Sequence, residues 1–239
     1  ILPIHLYGLS CDRDQIMKIA EKHGLIVIED ACQSHGAGYK GHKVGSFSTG
    51  TFSLYPTKNM TSAEGGMITT NDPVIEEKCR VIRQHGMRKR YYHDELGYNF
   101  RMTDVHAAIG LAQLKKLEKF TSQRQANAKF MSENLKGVTP PFIPEGLTHV
   151  FHPSTIRVSG GKRDALRTYL NEHGVGSEVY YPVPIHQQTF YVNDLGYKDS
   201  LPETEKAALE VLSLPVHPAL SSADLETIVS TVNEFMEKK

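Results

Sequence analysis

The chain has 239 residues, 39% hydrophobic and 23% charged, and its 27 Lys plus Arg are matched by 27 Asp plus Glu. That is an ordinary globular composition with length enough for a sizeable core and two lobes, and a zero net charge gives no global field to draw nucleic acid or an anionic membrane. No apolar run approaches the ~20 residues of a membrane span, no signal-peptide pattern opens the chain, and Cys11, Cys32 and Cys79 are too few and scattered for a disulfide framework, so a cytoplasmic protein is expected.

Ile1 to Gly8 is an apolar run that reads as a strand already under way, so the chain is expected to be a fragment of a longer protein. Asp12 is placed to cap a helix through His23, with Ile16, Ile19 and Ala20 on one face and Gly24 at its end. Leu25-Ile26-Val27-Ile28 ends in Glu29-Asp30 and reads as a buried parallel strand whose carboxyl end delivers Asp30 to a ligand crevice. Strand, helix and strand in that order predict a βαβ unit and a parallel sheet. Gly36 to Gly41 matches GxGxxG, but the residues through Ser46 have no helical period to present to a pyrophosphate. The stretch is read as a mobile loop.

Thr51 to Leu54 is a short β-type run that breaks at Pro56, presents Lys58 on the bend, and returns through Gly65 and Gly66 into Met67 to Thr70. A lysine there is either a solvated surface charge or an amine able to form a Schiff base with an aldehyde. Asp30 on a neighbouring strand end either caps a turn or faces a pyridinium nitrogen. Together the two are the pair that a pyridoxal phosphate site requires.

Further along, Asp72-Pro73 predicts a helix to about Gln84, with Ile75, Cys79 and Ile82 inward. Arg88 to His93 is a basic and aromatic cluster, too short for a nucleic-acid patch, and reads as a solvated loop or one that meets an anionic diphosphate. Thr103 or Asp104 opens a long helix, expected to bend and to reach about Leu135, with Ala107, Ala108, Leu111, Leu114 and Leu117 at mixed three and four spacings. A Pro140-Pro141 and Pro144 turn follows, then a strand near Phe151 to Val158 and a helix from about Lys162 to His173. A polar loop through Tyr181 to His186 and a helix from Ser221 or Ser222 to Lys238 complete the chain. The 12 histidines lack metal-cage spacing; the closest pair, His149 and His152, has neither HExxH nor a cysteine pair beside it, so no metal is expected.

Taken in order, Glu29-Asp30-Ala31-Cys32-Gln33-Ser34-His35-Gly36-Ala37, Gly45-Ser46-Phe47, Phe52 to Asn59, Glu64-Gly65-Gly66 and Gly97 to Met102 resemble the DegT/DnrJ/EryC1/StrS family of sugar aminotransferases, and in particular perosamine synthetase-like members. The likeness continues through Tyr181 to His186 and Leu214 to Pro218. It implies an α/β protein of pyridoxal-phosphate-dependent transferase fold type I, resembling aspartate aminotransferase. A mostly parallel sheet would form the large domain, carried here by residues 1–118 without its N-terminal portion, and residues 119–239 would form a small α/β domain.

The resemblance also implies roles. Lys58 would hold the cofactor and shuttle the proton, Asp30 would face the pyridine nitrogen, Gln33 the ring hydroxyl and Ser53 the phosphate. Asn99 would reach the cofactor phosphate of a neighbouring subunit, which makes the protein a homodimer with shared active sites. Tyr181 and His186 would face the sugar. The reaction implied is transfer of an amino group from glutamate or glutamine to a nucleotide-linked keto-sugar, for surface polysaccharide or glycoconjugate synthesis. A different pyridoxal phosphate reaction on such sugars, or a noncatalytic binding or regulatory relative, are the alternatives. Thr61-Ser62-Ala63 departs from the family's glycine-richer turn and leaves the shape of that loop open.

Overall fold

Local signals start the first unit. Asp12 accepts a hydrogen bond from the Gln15 amide and opens α1 (Arg13–His23), and Gly24 ends it in the left-handed region at φ 61. The computed structural model describes residues 1–238, and these divide into two units: residues 1–122 with 143–152, and residues 123–142 with 153–238. The division is therefore discontinuous, whereas a single cut after residue 118 was expected.

In the first unit the central sheet consists of β1 (Ile28–Asp30), β4 (Thr49–Ser53) and β5 (Gly66–Thr69), and β2 (Gly38–Tyr39) and β3 (His42–Lys43) lie between β1 and β4 in sequence. β1 and β4 are parallel with Asp30 beside Thr51, β5 is antiparallel to β4, and Ile4 bridges Asp30 in parallel. The strand predicted over Leu25 to Ile28 begins three residues late, because the Leu25 amide is still bonded to Ala20 O at 2.8 Å in the helix cap. It is also not buried on both faces: Val27 and Glu29 are covered, whereas Ile26 and Ile28 are 75% and 41% exposed. The Ile1 to Gly8 strand is likewise reduced to the bridge at Ile4 and a short 3-10 turn over Leu6–Gly8.

The glycine-rich stretch forms a hairpin, which corrects the mobile-loop reading. Lys40 and Gly41, at φ 48 and 84, supply the paired left-handed conformations of a tight β-turn between β2 and β3. No helix starts there, so nothing presents a helix N-terminus to a dinucleotide.

Asp72 caps α2 (Pro73–Arg83) through the Val74 and Ile75 amides. Its buried residue is Val81; Ile75 and Cys79 are only half-buried and Ile82 is exposed, so the inward face predicted for that helix is displaced. The Arg88 to His93 cluster is a second hairpin, β6 (Met87–Lys89) with β7 (Tyr92–His93). Thr103 caps α3 (Asp104–Leu114), and α4 (Leu117–Asn134) follows after a break at Lys115 and Lys116, the expected bend. β8 (Leu147–Thr148) then pairs with β2. Ala31, Ala37, Val44 and Val150 form a buried cluster, with Phe47 and Phe52 packed on it.

In the second unit β9 (Ser154–Arg157) is antiparallel to β10 (Val211–Leu214). Around them are α5 (Arg163–Glu172), α6 (Thr189–Asn193), α7 (Pro202–Glu210) and α8 (Ser222–Glu237). The core is Ile156, Val158, Leu166, Leu170, Leu212 and Val232, all fully buried, each contributing roughly 1.5–3 kcal/mol by leaving water. Ser221 and Asp224 close a capping box on α8. Among the described residues no helix is long and apolar enough to cross a membrane.

Candidate active site

The site is built on the alternation of side chains along β1. Glu29, 2% exposed, accepts hydrogen bonds from His5 Nε2 at 3.0 Å and from the amides of Gly45, Phe47 and Ser48 at 2.8, 3.1 and 3.0 Å. Burial opposes its charge, yet the His5, Gly45 and Ser48 donors hold its carboxyl below the ordinary carboxylate range. The Cys11 amide donates to His5 Nδ1 at 3.1 Å, so the ring's proton sits on Nε2, toward Glu29. The loop after β3 is thereby tied to the back of the strand that presents Asp30.

Asp30 ends β1 and turns one oxygen onto the Cys32 amide at 3.0 Å, an Asx-turn that fixes the plane of its carboxylate. On the adjacent parallel strand Thr51 lies beside it and Ser53 two residues on, where its Oγ accepts from the Tyr55 amide at 3.3 Å. The chain then bends, with the Lys58 amide bonded to Tyr55 O and the Ser62 amide to Leu54 O, each at 3.0 Å. Thr61 Oγ1 also donates to Leu54 O at 3.0 Å, so two of the residues that depart from the glycine-rich pattern close the bend themselves. The third, Ala63, sits at φ 69, where a glycine would be unstrained.

The charge of Lys58 reaches both Cys32 and His35. Burial pushes the Cys32 thiol up to about 11, with Asp30 adding to the rise and Lys58 opposing it. Burial pushes the His35 imidazole down to about 4, and Lys58 acts in the same direction. Near neutral pH both groups are therefore uncharged, and Asp30 and Lys58 set the local field.

The other predicted residues are more dispersed. Gln33 follows in the turn after β1 and accepts the Tyr7 amide on Oε1 at 2.8 Å. Asn99 is exposed elsewhere in the first unit, pairs through its backbone with Gln84, and accepts from Arg101 Nε at 2.8 Å. Arg88, read as a cation for a diphosphate, is engaged by Glu77 at 2.8 Å and Glu95 at 2.7 Å. Tyr181 and His186 belong to the second unit. Tyr181 is 53% exposed. His186 is buried with Nε2 against Glu205 Oε1 at 3.0 Å, and that oxygen also takes the Leu201 amide at the start of α7.

Sequence reasoning passed over Glu29, His35 and Asn59. Asn59 is buried beside Lys58 and its side chain spans to Val150 and His152. The one local signal was its position next to the lysine. A cleft of about 720 Å³ over β5 and α2, lined by Met67, Ile68, Cys79, Ile82, Phe100 and Met102 among others, contains neither Asp30 nor Lys58.

An aspartate at the end of one strand and a lysine in the bend after its parallel neighbour stand at the carboxyl edge of the sheet, the edge at which open α/β folds hold their ligands. The model of the DegT/DnrJ/EryC1/StrS aminotransferase family matches residues 1–233, and the chain belongs to that family. It is 46% identical over 244 residues to the pleiotropic regulatory protein of Geobacillus stearothermophilus, covering 98% of this chain and 64% of that one. It is 41% identical over 240 residues to the UDP-N-acetyl-3-dehydro-alpha-D-glucosamine 3-aminotransferase of Acidithiobacillus ferrooxidans, covering 99% and 64%. The chain thus spans 64% of the length of these relatives. The crystal structure of DesV from Streptomyces venezuelae in complex with a ketimine intermediate superposes with a TM-score of 0.94 at 35% identity, covering 100% of this chain and 65% of DesV. The fold is that of the pyridoxal-phosphate-dependent transferases of fold type I, as the resemblance implied.

Proposed function

We propose that this chain carries the catalytic lysine of a pyridoxal-phosphate-dependent aminotransferase. It would move an amino group from glutamate or glutamine to a nucleotide-linked keto-sugar, for surface polysaccharide or glycoconjugate synthesis. The observation that carries the reading is the pairing of β1 with β4, which sets Asp30 beside Thr51 and leads the next strand end into the Lys58 bend.

The residues present suit the cofactor. Its pyridine nitrogen needs an oriented anion, its aldehyde an amine and its phosphate hydrogen-bond donors. Asp30, fixed by the Cys32 amide, Lys58 and the Ser53 hydroxyl are of those kinds. When bound, pyridoxal phosphate supplies an electron sink for the pair left behind as a proton leaves the amino donor's α-carbon. Asp30 would hold a proton at the ring nitrogen, and Gln33 would orient the ring hydroxyl. Lys58 would hold the cofactor through its aldehyde with loss of water and, once the donor's amine has displaced it, would take and return the α-proton as general base and acid. Neutral Cys32 and His35 leave that transfer to the lysine.

The substrate class rests on the relatives' names, which include the UDP-sugar 3-aminotransferase and a GDP-perosamine synthase from Caulobacter vibrioides, 36% identical. In this reading the first unit is the large cofactor-binding domain and the second the small domain, whose Tyr181 and His186 meet the sugar. Exposed Asn99 serves the cofactor phosphate of a partner in a homodimer. Three free cysteines accord with a cytoplasmic setting.

The name of the Geobacillus relative favours a second reading, a regulatory protein that retains the fold. Borohydride reduction after incubation with pyridoxal phosphate, followed by peptide mass mapping, separates the two. A reduced adduct on Lys58 that is absent from Lys58→Ala is expected. No adduct, or one on another lysine, would overturn the catalytic assignment.

A further inference from the structure

We infer that Asn59 and His152 form a positioning pair that sets where Lys58 stands relative to Gln33. The inference rests on the reading of Lys58 and Gln33 as cofactor contacts.

A bend is ordinarily the mobile part of a sheet connection, yet the residue after Lys58 is a buried amide, 4% exposed. Both ends of that amide are used. Asn59 Nδ2 donates to Val150 O at 2.9 Å, and Oδ1 lies 3.3 Å from His152 Nδ1. A carbonyl oxygen only accepts, so the amide nitrogen must face Val150 and the oxygen must face His152. An amide oxygen also only accepts, so His152 carries a proton on Nδ1.

The segment that receives Asn59 is held in turn. The Val150 amide donates to Gly8 O and the His152 amide to Tyr7 O, each at 2.9 Å. The Tyr7 amide donates to Gln33 Oε1 at 2.8 Å. Tyr7 is therefore clasped on its N–H by Gln33 and on its C=O by His152, and it holds a left-handed φ of 59 that costs a non-glycine residue on the order of 1 kcal/mol. Gly8, at φ 104, passes so close that a Cβ would lie 2.9 Å from the Phe151 amide nitrogen. The residue after Lys58 and the side chain of Gln33 are thus referenced to one peptide through bonds that all lie within the first unit. A misplacement of ~1 Å at a reacting group costs about a hundredfold in rate, so the pair's work is geometric.

The test compares wild type, Asn59→Ala, His152→Phe and the double variant, each as the full chain. It follows the rate at which pyridoxal phosphate becomes reducible onto Lys58, together with melting of the cofactor-free proteins. Either single change is expected to slow adduct formation about tenfold or more while a cooperative melt is retained, and the double variant should be no slower than the slower single. His152→Gln, which keeps a donor, should recover part of the rate. Wild type without an adduct on Lys58 would overturn the underlying reading and the inference with it. A wild-type adduct formed at unchanged rate in both single variants would overturn the pair alone, as would additive slowing in the double variant. Loss of the cooperative melt in both single variants would assign the pair to stability and equally end its positioning role.

Discussion

Two buried ionisable side chains a few residues apart have opposite surroundings. Among the described residues neither ring nitrogen of His35 meets a partner in good hydrogen-bond geometry, the Ser53 backbone offering only a weak interaction, whereas the carboxylate of Glu29 accepts from one ring and three backbone amides. Removing a polar group that makes no bonds is close to neutral, and removing one that satisfies several donors leaves them stranded. His35→Leu is accordingly expected to stay within about 1 kcal/mol of wild type at pH 7.5, and Glu29→Gln to lose roughly 2–4 kcal/mol. Urea denaturation of the two variants side by side checks this, and equal losses would mean that His35 is anchored as firmly as Glu29.

Elements that carry site residues are held by their glycines as much as by their strands. Backbone bonds from Tyr98 to Ile82, from His85 to Tyr98 and from Phe100 to Arg83 lay the Asn99 stretch along the end of α2. A Cβ on Gly97 would lie 1.9 Å from the Gly86 nitrogen, so no side chain fits between them. Gly97→Ala should raise amide exchange at His85, Tyr98 and Phe100 roughly five- to a hundredfold, as a local loss of about 1–3 kcal/mol implies, and leave α5 unchanged. Unaltered exchange would show that the turn absorbs the methyl. Sequence disclosed the elements whose ends are local: Asp12 with Gly24, Asp72 with Pro73, and Ser221 before α8 all carry their caps in adjacent residues. α7 and β10 escaped, because α7 has no side-chain cap at Leu201 and runs into the strand at Val211 without a turn residue. In the site, Asp30 and Lys58 were legible from strand ends and family likeness. Asn59 was not, since its partners lie 91 and 93 residues away.

At the scale of the molecule, buried histidines set the response to acid. Burial pushes His35 and His149 down to about 4, below the ~6.5 of an unfolded imidazole. Between those values the unfolded chain binds more protons than the native one, so stability rises with pH across the window and is lost as pH falls from about 6.5 to 4. Each ring contributes on the order of a few kcal/mol, and Glu29, whose carboxyl is depressed, adds its loss below the ordinary carboxylate range. Urea midpoints at pH 7.5 and 5.0 should therefore differ clearly, with the loss in the first unit, which holds both rings. Coincident midpoints would show that the rings gain partners on protonation. The discontinuity of that unit also acts on the nascent chain. Asn59 meets Val150 only after 91 further residues are made, a delay on the order of five to twenty seconds at ribosomal rates. For that interval the lysine bend leaves the exit tunnel with its anchor still unsynthesised, and the pairing of β4 with β1 and β5 must hold its place.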